Sequence, residues 1–316
     1  MSILGDFSAL LRTRICLVSA LLVIIAGYLT DRLNVIASSS LRTQTFLDFL
    51  FSNPILPFEG IVLGMIIPFS LVAGTYVMND YFDYQSDLEN GRVDRPLVRG
   101  EIRMWEAKWL SIILFSCSIL ISLIMVIIYQ LSPLIPLLAV LFIGIGIIYN
   151  LGVKKFGIIG HLLISLALVA PISLGVIIVE PISEWVLLNM IILSLFLLFV
   201  ALGRETIKDI LDVKGNHKAG KRSFAILLGL NWAARISGII FVFGIIIGSL
   251  LLFLGFSNNL IYLGGFVAVS ALLLWTATMI IRNPDPETAT KARIYSRWAL
   301  WLYILVIFIS SFFIIL

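Results

Sequence analysis

Long apolar runs alternate with short polar connections along the whole chain. Nine of them, at roughly 12–30, 58–84, 106–129, 132–150, 157–179, 184–212, 232–254, 260–281 and 295–315, approach the length of about 20 residues that spans a bilayer as a helix. In lipid each backbone polar group must be satisfied within its own segment, so such runs predict helices rather than open strands. The pattern predicts an all-α integral membrane protein of nine transmembrane helices, organised as one domain over residues 1–316. The segment 31–57 is too polar at its start to span, and its later part predicts a short interfacial helix. The first apolar run has no small-residue cleavage site and reads as a span rather than a removed signal.

Composition strengthens this picture. The chain is 60% hydrophobic and 13% charged, against about 45–50% and about 25% in soluble domains. Its mean hydropathy is +1.10. Cys16 and Cys117 both fall in apolar runs, which argues against a disulfide framework or a cysteine metal site. Charge placement sets an orientation. If the N-terminus is cytoplasmic, 20 of the 22 Lys and Arg lie at cytoplasmic ends and loops, and Arg32 and Arg42 alone lie opposite. The positive-inside rule therefore predicts a multi-pass protein of the cell membrane with a cytoplasmic N-terminus. There is no Walker-type loop, Rossmann glycine fingerprint, zinc-ligand cluster or acyl-transfer triad signature. The basic face belongs to membrane loops without a soluble module, which excludes nucleic acid.

Two acidic stretches stand out against this background. In NDYFDYQSDLENGRVDRPLVRG, residues 79–100, Asp80, Asp83 and Asp87 are spaced by three and then four. On a helix they share one face over about 10 Å. Like charges so placed repel, the more so beside a bilayer. Hard oxygen donors at this spacing suit Mg²⁺, which binds one or two carboxylates together with substrate phosphates. In GRETIKDILDVKGNHKAGKRS, residues 203–223, Asp209, Asp212 and Asn216 repeat the spacing, with Glu205 one turn earlier. Each stretch follows an apolar helix, the second and the sixth. Arg92, Arg95 and Arg99 follow the first, and Lys154, Lys155, Lys208, Lys221 and Arg222 share its predicted side of the membrane. Interleaved cations beside Mg²⁺ suit a diphosphate, whose oxygens take planar guanidinium donors and whose departure needs positive charge. Tyr76 and Tyr149 are candidates for a cavity wall whose π-faces stabilise a carbocation. His161 lies in an apolar run and reads as a hydrogen-bonded interior histidine.

NDYFDYQSD resembles the NDxxDxxxD motif of the UbiA superfamily of intramembrane prenyltransferases, and DILDVKGNHKAGKRS resembles their second Asp-rich motif. The likeness covers nearly the whole chain. GRETIKDILDVKGN and GRVDRP are most similar to the archaeal ether-lipid branch, the digeranylgeranylglyceryl phosphate synthases. The resemblance implies a helical bundle around a central cavity. It implies transfer of a prenyl (geranylgeranyl) group from a prenyl diphosphate donor to a lipid acceptor, with Mg²⁺, two ions in all, as cofactor. Carried over by position, Asn79, Asp80, Asp83 and Asp87 hold one ion and the diphosphate; Asp209 and Asp212 hold the second, with the departure that Asn216 stands where Asp is usual. An aromatic acceptor is the alternative within the superfamily. A cation transporter is the alternative outside it, but such proteins carry their carboxylates near the midplane rather than at one face among arginines. A CDP-alcohol phosphatidyltransferase would need a DGxxAR-type start, which is absent.

Overall fold

The computed structural model describes residues 3–37, 45–51, 53, 56–89, 91–179, 181–218, 222–256 and 258–313. Among them the regular structure is helical: α1 (Ile3–Leu11), α2 (Thr13–Ala37), α3 (Phe46–Phe51), α4 (Phe58–Glu89), α5 (Met104–Tyr129), α6 (Leu134–Asn150), α7 (Gly157–Ile177), α8 (Glu184–Leu211), α9 (Val213–Lys218), α10 (Phe224–Leu227), α11 (Leu230–Ser249), α12 (Leu260–Arg282) and α13 (Pro286–Ser311). Eight are long and apolar enough to cross a membrane, and α6, of 17 residues, is a shorter apolar helix. These nine correspond to the nine expected spans. The chain divides into two compact units.

The first unit comprises Met1–Gly27, Leu47–Val153 and Ala170–Glu180. Here α4 packs along α5 and α6, and α1 lies against α4. Without a hydrophobic drive between helices in lipid, close approach depends on small residues. Gly74 faces the Phe115 ring and Gly146 faces Thr75. Gly175 lies closest to its neighbour: a Cβ there would meet the Val23 carbonyl oxygen at 2.5 Å and the Ala26 Cβ at 2.8 Å. α4 has 32 residues, about 48 Å at about 1.5 Å per residue. That exceeds a hydrocarbon layer of about 30 Å, so its last turns carry polar residues.

The second unit comprises Tyr28–Phe46, Lys154–Val169 and Pro181–Leu316. α8 packs on α11 and α13, and α12 lies against both. Gly203 receives the Phe241 ring, and Gly248 lies between Phe196 and Phe266. The buried Tyr262 hydroxyl donates to the Gly248 carbonyl at 3.1 Å and lies 3.3 Å from the Tyr303 hydroxyl, which satisfies polar atoms that lipid could not.

The first span departs from the sequence reading. α2 continues to Ala37, beyond the expected end near residue 30, and carries Asp31 and Arg32 as buried residues. Asn34 makes that extension useful. Its side chain donates to the Pro181 carbonyl at 3.1 Å and accepts from the Ser183 amide at 3.4 Å, anchoring the connection before α8. The short helix expected within 31–57 is α3; residues 38–44 lie outside the described ones.

Gly175→Val should overpack the α2–α7 contact and destabilise the protein by about 1–3 kcal/mol. Thermal unfolding in detergent measures this, with Gly144→Ala, where a Cβ meets nothing within 4 Å, as the neutral control.

Candidate active site

Each unit carries one acidic stripe. In the first, Asp80 sits on the part of α4 that remains inside the packed helices and is only 2% exposed. Its carboxylate is clamped by two guanidiniums. Arg95 Nη1 donates to Oδ1 at 2.9 Å and to Oδ2 at 3.1 Å, and Arg12 Nη2 donates to Oδ1 at 3.0 Å. Arg12 lies between α1 and α2 with φ of 51°, and its guanidinium stacks 4.2 Å over the Tyr76 ring. That cation–π contact orients the cation as it meets the carboxylate.

Arg95 also links the stripe along its length, with Nε 3.7 Å from Asp87 Oδ2. Arg92 reaches Asp87 at 3.9 Å and forks onto the exposed Asp94 at 3.0 and 3.2 Å. The Arg92 hydrogen bond holds the Asp94 carboxyl below the usual range. Asp87 is shifted the other way: burial raises its pKa, and Arg95 and Arg92 offset this only in part. Asp83 and Asn79 are half-buried on the same helix. The loop after α4 is tied to α1 by Arg99, which donates to Asp6 at 2.8 Å, to the Val93 carbonyl at 2.9 Å and to Glu101.

In the second stripe Asp209, 5% exposed, has an imidazole and a backbone amide as partners instead. His161 Nε2 lies 3.2 Å from Oδ1, and the Phe224 amide donates to Oδ2 at 3.2 Å. Asp212 caps α8, its amide donating to the Lys208 carbonyl at 2.9 Å, and is half-buried. Lys208 pairs with Glu205 at 3.7 Å. Lys154 is half-buried in the turn before α7, and Arg222 is exposed at the entry to α10. Asn216 lies on α9; its side chain, that of Lys155, and the whole of Lys221 lie outside the described residues.

The structure thus gathers Asp80, Asp87, Arg92 and Arg95 in one cluster. Among the described residues no three His, Cys, Asp or Glu side chains stand close enough to hold an ion by themselves. The donor chemistry nevertheless suits Mg²⁺. Asp87 retains a burial cost that its arginines do not cancel, and among the described residues each Asp209 oxygen has one partner of the two it can accept. Two partners were not legible as site residues. Arg12 read as a topological charge, and its contact spans 68 positions. His161 is the hydrogen-bonded interior histidine expected, but its partner is the acidic stripe.

The profile of the UbiA prenyltransferase family matches residues 45–303. The digeranylgeranylglyceryl phosphate synthase of Saccharolobus solfataricus is 34% identical over 241 residues, covering 76% of this chain and 80% of that protein. The enzyme of the same name from Sulfurisphaera tokodaii is 32% identical over 237 residues, covering 75% and 80%. A solved structure of digeranylgeranylglyceryl phosphate synthase shares the fold with a TM-score of 0.75 at 22% identity, over 99% of each chain. A UbiA homolog from Archaeoglobus fulgidus bound to GPP and Mg²⁺ superposes with a TM-score of 0.58 at 16% identity, over 96% and 99%.

Arg95→Met should leave Asp80 with one guanidinium and destabilise the fold by about 3 kcal/mol. Arg95→Lys should recover little of this, because one ammonium cannot serve both Asp80 and Asp87, which Arg95 reaches through Nη1 and Nε; thermal melts in detergent test both. Asp87→Asn tests the raised carboxyl. A folded-state pKa above the unfolded one gives stability at low pH that is lost as pH rises through the folded value. The variant should therefore melt higher than the parent at neutral pH and lose that advantage below the ordinary carboxylate range, while losing activity.

Proposed function

The chain belongs to the UbiA prenyltransferase family, and from that premise we propose that it transfers a geranylgeranyl group from geranylgeranyl diphosphate to the free hydroxyl of geranylgeranylglyceryl phosphate. The observation that carries the reading is the guanidinium clamp on Asp80. A carboxylate this buried on an apolar helix, clamped by Arg12 and Arg95 and with one further arginine, Arg92, within 4 Å of its neighbour Asp87, suits a polyanion delivered with a metal. The names of the curated relatives support the ether-lipid acceptor.

In this reading one domain spans residues 1–316, the protein lies in the cell membrane, and its N-terminus and active-site mouth face the cytoplasm. Asn79, Asp80, Asp83 and Asp87 would hold one Mg²⁺, and Asp209, Asp212 and Asn216 a second. When bound, Mg²⁺ would polarise the diphosphate and offset the negative charge that develops as the allylic C–O bond breaks. Arg92 and Arg95 donate to the leaving diphosphate from positions already fixed by Asp80, Asp87 and Asp94, so little reorganisation accompanies the reaction. In the second unit Lys154, Lys208, Lys221 and Arg222 would supply charge for substrate phosphate groups. The prenyl tail lies in an apolar cavity that Tyr76 and Tyr149 help to line and that keeps water from the allylic cation.

The test is a membrane assay with radiolabelled geranylgeranyl diphosphate, Mg²⁺ and either geranylgeranylglyceryl phosphate or 4-hydroxybenzoate. Product should form only with the glyceryl phosphate and fall by at least about 100-fold in Asp80→Ala and Asp212→Ala, in line with loss of electrostatic stabilisation of the leaving group. Product with the aromatic acid alone would overturn the acceptor.

A further inference from the structure

The histidine in the second stripe has no part in the mechanism above, and its surroundings give it one. Gly157, at the start of α7 with φ of +29°, lies so close to the Arg222 carbonyl that a Cβ there would collide with the backbone. This presses the first turn of α7 against the segment that leads into α10. His161 stands four residues after Gly157 and so on the same helix face. Its ring packs 6.1 Å from the Phe224 ring, and Phe224 is the residue whose amide bonds Asp209. His161, Phe224 and Asp209 thus form a closed triangle.

The chemistry of the contact is fixed by its partner. A carboxylate oxygen only accepts, so His161 Nε2 is the nitrogen that carries the proton. Nδ1 is buried with no hydrogen-bond partner among the described residues. With one donor on each oxygen, Asp209 has, among the described residues, two of its roughly four acceptor sites engaged. The two donors, a ring N–H and a backbone amide, fix the carboxylate at both oxygens. Outer hydrogen bonds of this kind orient a ligating carboxylate.

We propose that His161 is a positioning residue for the second acidic stripe, its Nε2–H holding Asp209 so that the carboxylate is presented to a divalent cation. The proposal rests on Asp209 being a metal ligand, as read above. It assigns the start of α7 to the metal site, although α7 contributes no ligand itself.

Mn²⁺ binding to the purified full chain in detergent, followed by electron paramagnetic resonance, tests this without turnover. Asp209→Asn defines the site in question. His161→Met fills a similar volume without a donor, and His161→Gln retains a donor near the Nε2 position. The Met variant should weaken the Asp209-dependent Mn²⁺ site by about 10–100-fold, and the Gln variant should restore most of it. If the Met variant does not fold, His161→Ala serves in its place. A folded Met or Ala variant that binds Mn²⁺ as the parent does would overturn the positioning role while Asp209→Asn still loses the site. If Asp209→Asn also binds normally, Asp209 is not a ligand and the metal reading of the second stripe fails with the proposal.

Discussion

A carboxylate that gives up its water must find its donors inside the protein. Asp80 and Asp209 are both almost fully buried at the ends of long apolar helices, and they meet this demand in opposite ways. Asp80 is compensated in charge, by the guanidiniums of Arg12 and Arg95. Asp209 is held by hydrogen bonds from an imidazole and a backbone amide. The first arrangement stores cations beside a carboxylate. The second fixes a carboxylate at both of its oxygens. A reaction that must hold a polyanion and its metal has use for both.

The supporting structure follows from that demand. α4 and α8 run past the length that a bilayer requires, so their last turns can bear aspartates while the preceding turns stay apolar. Within each unit small residues bring helices close: Gly74 and Gly146 in the first, Gly203 and Gly248 in the second. The loop after α4 is itself anchored, because Arg99 ties it to Asp6 on α1. Arg92 and Arg95 therefore stand on a fixed platform rather than a free connection.

The sequence was most legible where the physics is local. Apolar runs announced the spans, and a spacing of three and four announced the stripes, because both depend on residues within a few turns of one another. Where polarity misled, the cause was tertiary. Asp31 and Arg32 suggested that the first helix ends near residue 30, yet they are buried within it, and Asn34 uses the extra turns to fasten residues 181–183. Arg12 and His161 carry no motif. Their partners lie 68 and 48 positions away, and no periodicity connects residues so far apart. The acceptor is the least local property of all, and its traces were the similarities of GRETIKDILDVKGN and GRVDRP to one branch of the family.

The distance between Arg12 and Asp80 also bears on how the molecule is made. The ribosome releases Arg12 long before α4, and Arg95 follows Asp80 by 15 positions. One counter-charge is therefore waiting when the aspartate enters the membrane, and the other arrives directly behind it. Both counter-charges of Asp80 lie in the first unit, so the clamp is complete without any residue of the second.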